Sequence, residues 1–147
     1  MRILFPFSPP ILCVFIGTVM YFLPLIGQYP RYLFLISIFI LLSGSIAIAS
    51  VWQFYRHKAN IDPQQLDKTT ILVTSGIFRV SRNPMYLSLL LMLSGWALWL
   101  GNLLAWTGVA VFVFLMNRFQ ISQEEAYLEK QFGEDYRRYK SKVRRWI

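Results

Sequence analysis

Four long apolar stretches, parted by two short connections and one long basic one, set the plan of this chain. They run over about 10–27 ("PILCVFIGTVMYFLPLIG"), 32–55 ("YLFLISIFILLSGSIAIASVWQFY"), 84–101 ("PMYLSLLLMLSGWALWLG") and 102–118, which opens "NLLAWTGVAVFVFLMN". At ~1.5 Å of rise per residue, helices of this length cross a hydrocarbon core of ~30 Å. The pair Gly101-Asn102 predicts a tight turn, so the last two stretches form a hairpin. The expected fold is an all-α integral membrane protein of about four transmembrane helices, with a C-terminal helical hairpin and an amphipathic cytoplasmic tail. The first stretch is expected to be a retained span, because no small-residue cleavage site follows it and Pro24 interrupts its end.

Composition agrees with a bilayer as solvent: 56% of residues are hydrophobic, and the mean hydropathy of +0.45 exceeds that of an ordinary soluble domain. Charge is confined largely to 56–82 and 118–145, as the cost of charge in hydrocarbon requires. The long connection carries Arg56, Lys58, Lys68, Arg79 and Arg82, whereas the two short ones contain only Arg31. By the positive-inside rule the long connection and the tail face the cytoplasm, and an even number of spans puts both termini there. Topology and anionic headgroups explain the net charge of +8, so no nucleic-acid partner is expected. Cys13 is the only cysteine and His57 the only histidine, which excludes an intrachain disulfide and the usual zinc constellation. Nothing divides the chain, and residues 1–147 are expected to form one domain.

Finer features give finer expectations. Ser43, Ala47 and Ser50 lie on one face of the second stretch and predict close helix packing. Trp96, Trp99 and Trp106 suit an interfacial belt at the outer turn. The segment "ILVTSGIFRVSRNP" is expected to be extended or irregular against the membrane face. In the tail, Ser122 before two glutamates reads as a helix start, and Gly133 as a break. "EDYRRYKSKV" reads as a second helical piece, with Phe132, Tyr136 and Tyr139 on one face and basic residues on the other, resting on headgroups.

The hairpin also brings distant motifs together. With the turn at 101–102, Asn83 lies level with about Gln120, and Arg79 with about Glu124. "RVSRNPMY" and "RFQISQEE" therefore meet at the cytoplasmic edge. Pro84 suits the first position of the third helix, where its missing N–H costs nothing. Two readings stand side by side. Arg79 and Arg82 pair with Glu124 and Glu125 as a simple ionic staple, or Asn83, Tyr86, Ser88 and Arg118 join them in a polar pocket open to lipid and cytosol.

"GIFRVSRNPMY", then "SGWALWLGN", then "EEAYLEKQFGEDYRRYKSKVRRW" resemble the C-terminal signature of membrane methyltransferases. That superfamily includes the isoprenylcysteine carboxyl and the phosphatidylethanolamine methyltransferases. The resemblance covers Thr74 to Trp146 and rests on an arginine-x-proline-x-tyrosine element, a glutamate pair and an aromatic tail in the same order. It implies methyl transfer from S-adenosylmethionine to a lipid or isoprenoid-type acceptor in the bilayer. By the same resemblance Arg82, Asn83, Pro84 and Tyr86 border the cofactor, and Glu124 and Glu125 contact its amino or hydroxyl groups. Arg118 and Glu124 are the candidates for a catalytic role, Arg118 by holding an anionic acceptor group. No metal is implied. The carboxyl methyltransferases typically have histidine where this chain has Asn83, and glycine is usual where it has Ser88; asparagine in "NPMY" is closer to the phospholipid enzymes. A nicotinamide-dependent membrane reductase with a similar arginine-proline-tyrosine element, and a non-catalytic adaptor, are the competing readings.

Overall fold

The computed structural model describes residues 8–59 and 70–147; Lys68 and the middle of the long basic connection lie outside them. Among the described residues the architecture is all-helical, and an isolated bridge between Gln28 and Asn102 is its one β-type pairing.

Helix α1 (Pro9–Phe22) opens with proline in its first turn and stops earlier than its apolar pattern predicts. The cause is Pro24: the residue before a proline is driven extended, and Leu23 sits at φ −67°, ψ 144°. Helix α2 (Leu33–Arg56) is the longest uninterrupted α-helix, and its buried residues Ile36, Ser43 and Ser50 fall at seven-residue intervals on one face. Much of its remaining surface is exposed hydrocarbon, as at Phe34, Ile48 and Tyr55. Small residues let α2 approach helix α3 (Pro84–Leu100), where the Ser43 hydroxyl donates to the Ser88 carbonyl at 2.7 Å. The packing expected of that stripe is thus present.

Helix α3 is the centre of the assembly and packs against α1, α2 and α4. It ends at Gly101, whose φ of +63° gives the left-handed cap of the hairpin turn. Asn102, 2% exposed, then ties two turns together. Its Oδ1 accepts from the N–H groups of Leu104 and Ile26, both at 3.1 Å, and its Nδ2 donates to the Pro24 carbonyl at 3.0 Å. Two of the tryptophans in the expected belt are held by protein partners: Trp96 Nε1 donates to the Gly17 carbonyl and Trp106 Nε1 to the Tyr29 hydroxyl, each at 3.0 Å.

Past the turn a single helix runs from Leu103 to Phe132. It comprises a 3-10 turn (Leu103–Ala105), α4 (Trp106–Leu115), a π-helical segment (Met116–Ile121) and α5 (Ser122–Phe132). Ser122 is therefore inside the helix and does not start one. Its hydroxyl turns back to the Arg118 carbonyl at 2.7 Å instead of capping a following N–H. Gly133, at φ +54°, breaks the helix as expected and leads into α6 (Glu134–Lys142). Tyr136 and Tyr139 do share a face of α6, but protein covers it: both are buried in a cluster with Val73 and Phe78. The segment before α3 is partly regular, with a 3-10 turn over Gly76–Arg79 that presents Phe78 to this cluster. Two helices, Leu33–Arg56 and the one from Leu103 to Phe132, are long and apolar enough to cross a membrane; α1 and α3 are apolar but shorter.

Candidate functional site

The turn before α3 is built by its own short side chains. Ser81 is fully buried, and its Oγ accepts from the Asn83 N–H at 3.1 Å. Asn83 takes φ −130°, ψ 59°, and its carbonyl accepts the first helical bond, from the Leu87 N–H at 2.9 Å. Pro84 follows at the first helical position, as expected. The Asn83 side chain does not cap this helix; its Nδ2 donates to the Arg145 carbonyl at 2.9 Å.

One turn into α3, the buried Tyr86 hydroxyl donates to Glu124 Oε1 across the hairpin. Gln120 Nε2 donates to the same oxygen at 2.6 Å. Gln120 is 1% exposed, and the π-helical segment in which it lies sets the phase of α5 that follows. Such widened turns frequently accompany functional sites.

Glu125 forms a separate cluster. Its carboxylate receives Arg82 Nη1 at 3.0 Å and two donors from Arg145, Nε at 3.0 Å and Nη2 at 2.7 Å. Lys140 stands farther off at 3.8 Å. Arg82 Nη1 also reaches the Tyr136 hydroxyl at 3.5 Å, while Arg82 Nε is a buried donor with no partner. The bond to Glu125 holds Arg145 even more firmly protonated than usual. Burial pushes the Tyr136 and Tyr139 hydroxyls up from their ordinary range, so both stay neutral donors and acceptors.

A cavity of about 560 Å³ opens beside these groups. Arg82, Asn83, Tyr86, Ser88, Glu124 and Glu125 line it, and α2 supplies an apolar wall that includes Val51 and Phe54. One helical turn along α3 a second, apolar cavity of about 790 Å³ begins, running from Met92 to Trp99 between α1 and α2. The expected residues thus assemble, with two exceptions. Arg118 is exposed on the outer face of the helix and is not part of the cavity wall. Arg79 is exposed too, and among the described residues it makes no ion pair, so the predicted partnership with Glu124 is replaced by that of Tyr86. Glu124 thus stands opposite a residue seven positions, about two helical turns, nearer the hairpin turn than Arg79. Ser88 lies in the wall, buried, with its hydroxyl on the Met85 carbonyl at 2.7 Å.

Three contributors escape a reading of the sequence. Arg145 is one cation among many in a basic tail, and Tyr136 and Tyr139 look like an ordinary amphipathic face. His57 serves structure: Nδ1 is 2.8 Å from the Gln53 carbonyl and Nε2 3.4 Å from Ser75 Oγ. No group of three histidine, cysteine or carboxylate side chains suited to a metal occurs among the described residues.

An uncharacterized protein of Haemophilus influenzae is 65% identical over 63 residues, which is 43% of this chain and all of that protein. A second uncharacterized Haemophilus influenzae protein is 49% identical over 45 residues, 31% of this chain and 66% of the other. The protein-S-isoprenylcysteine O-methyltransferase of Schizosaccharomyces pombe is 30% identical over 99 residues; the match takes in 67% of this chain and spans 41% of the yeast protein. No solved structure matches. The profile described as phospholipid methyltransferase matches residues 30–135, from the start of α2 through both arms of the hairpin to the first turn of α6, and on that evidence the chain belongs to the phospholipid methyltransferase family.

Proposed function

We propose that this chain transfers a methyl group from S-adenosylmethionine to a lipid-embedded acceptor at the cytoplasmic membrane face, as one membrane-embedded unit over residues 1–147. The observation that carries the reading is one cavity wall with a buried carboxylate, Glu124, and an arginine, Arg82, whose buried Nε is a donor to spare. A small ligand with a cationic and an anionic end matches that pair. S-adenosylmethionine has both: a sulfonium and an ammonium for Glu124, and a carboxylate for Arg82. Asn83, Pro84 and Tyr86 border it.

When bound, the cofactor supplies an electrophilic methyl group, so the chain's own residues have mainly to orient the partners and keep water out. Tyr86 and Gln120 fix the Glu124 carboxylate in place. Glu125 is occupied by two arginines, and its part is to anchor Arg82. Of the two catalytic candidates we retain Glu124. Arg118, exposed at the membrane edge, is assigned to lipid headgroups.

The acceptor's hydrocarbon fits the apolar cavity between α1, α2 and α3, with its polar group toward Glu124. The family match favours a phospholipid, and it favours methyl transfer over nicotinamide-dependent reduction or an adaptor role. An isoprenylcysteine-type acceptor is the second reading, supported by the 30% identical yeast relative. All four apolar helices are proposed to cross the bilayer, α1 with the help of the extended segment that follows it, which leaves both termini cytoplasmic. Calorimetric titration of the purified full-length protein with S-adenosylmethionine tests the cofactor: the wild type is expected to bind, and Glu124→Ala to bind at least about tenfold more weakly. A silent wild type, or a Glu124→Ala variant that binds equally well, refutes the assignment. Incubation with labelled cofactor and total membrane lipid then identifies the acceptor by its labelled product.

A further inference from the structure

Beyond α6 the chain becomes extended at Val143 and crosses back over the site. The Arg82 N–H donates to the Arg144 carbonyl at 3.0 Å, and Asn83 Nδ2 to the Arg145 carbonyl at 2.9 Å. On the other side Trp146 Nε1 donates to Asn117 Oδ1 at 3.1 Å, in the π-helical segment. This strap joins both arms of the hairpin.

The Arg145 side chain continues the link. It grips both oxygens of Glu125 at 3.0 and 2.7 Å, and a forked guanidinium on a carboxylate fixes orientation as well as distance. Arg82 then takes its own orientation from Glu125 through Nη1 at 3.0 Å. Arg82 Nε is buried without a partner. An unmet buried donor is costly, and an anionic ligand group next to Arg82 satisfies it. Arg145 is not itself in the cavity wall.

We propose that Arg145 is a positioning residue: through Glu125 it holds the Arg82 guanidinium where it receives the carboxylate of the methyl donor. This rests on the reading that the cavity takes S-adenosylmethionine. Lys140, farther from Glu125 and 40% exposed, has no comparable hold.

The test compares two ligands, S-adenosylmethionine and its decarboxylated analogue, by calorimetry on the full-length protein in lipid nanodiscs. The wild type is expected to prefer the carboxylated ligand. Arg145→Gln is expected to weaken S-adenosylmethionine about tenfold and the analogue less than about twofold, so the preference collapses. Arg145→Lys keeps the charge without the two-point grip; it is expected to fall between, and it decides the matter where the glutamine variant does not fold. Arg138→Gln, exposed on the same tail, is expected to match the wild type. Equal weakening of both ligands, or an unchanged preference, overturns the positioning role and leaves the cofactor reading standing. A wild type that binds neither ligand removes both.

Discussion

Glu125 is the residue on which most charge converges, and its removal is the sharpest test of the ionic cluster. Its side chain is 9% exposed and that of Arg82 10%, so this pair is shielded from solvent; Arg145, at 34%, is less so. Breaking a buried pair from one side strands the partner's charge and costs about 3–5 kcal/mol. Glu125→Ala is therefore expected to lose stability in that range in denaturant titrations of micellar protein, and Glu125→Gln less, because an amide oxygen still accepts from one guanidinium. A loss below about 1 kcal/mol is what a solvent-exposed pair gives and contradicts the burial. Arg82, Tyr86 and Glu124 were legible in the sequence because they are polar groups at the margins of apolar runs, where each needs a reason. Arg145 was not, since cations surround it and only the path of the chain back over the site singles it out. Arg118 is the converse case: the sequence places it two residues before Gln120, and only the structure shows that it faces outward from the cavity.

Among the elements, the hairpin turn was read correctly and the helix after it was not. Gly101-Asn102 is a local signal: a left-handed residue and a side chain that caps its neighbours act within a few positions. Gly101→Ala is expected to cost about 1–2 kcal/mol from the left-handed backbone alone. More follows from crowding, because a Cβ there lies 2.8 Å from the Tyr29 carbonyl oxygen, a backbone atom with little room to move. The check is the shift in unfolding midpoint against wild type; a shift indistinguishable from zero contradicts the turn geometry. The π-helical segment has no such local signature in Met116–Ile121. Gln120 bonds Glu124 four residues on, but Asn117 of the same segment receives Trp146 from the far end of the tail, a tertiary contact. What covers the aromatic face of α6 is likewise a tertiary matter: its periodicity fixes which residues share a face, and only the location of Phe78 decides that protein covers them. The Tyr139 hydroxyl donates to the Phe78 carbonyl at 2.6 Å.

For the molecule as a whole, the proposed topology makes a prediction independent of any chemistry. Gln28 and Ser141 are both exposed, one near the outer turn and the other on α6. In right-side-out vesicles Gln28→Cys is expected to react with a membrane-impermeant maleimide, and Ser141→Cys only after lysis; the reverse pattern inverts the protein. Cys13, 3% exposed and packed near Leu89, is expected to stay unlabelled in both. The apolar block pattern made the helical architecture and six of its eight helix boundaries plain to within one residue, since hydrocarbon thickness leaves a span few alternatives. How the cavity is closed was beyond that pattern, because it depends on a tail docked across two helices. The helix from Leu103 to Phe132 joins an apolar half to a half that carries the carboxylates, with the π-helical segment between them. Because an α-helix turns about 100° per residue, deleting a single residue there would swing Glu124 away from Tyr86 while leaving α4 seated as it is. The two halves are thus clocked separately: insertions and deletions at the joint retune the direction of the chemistry without re-solving how the protein sits in its membrane.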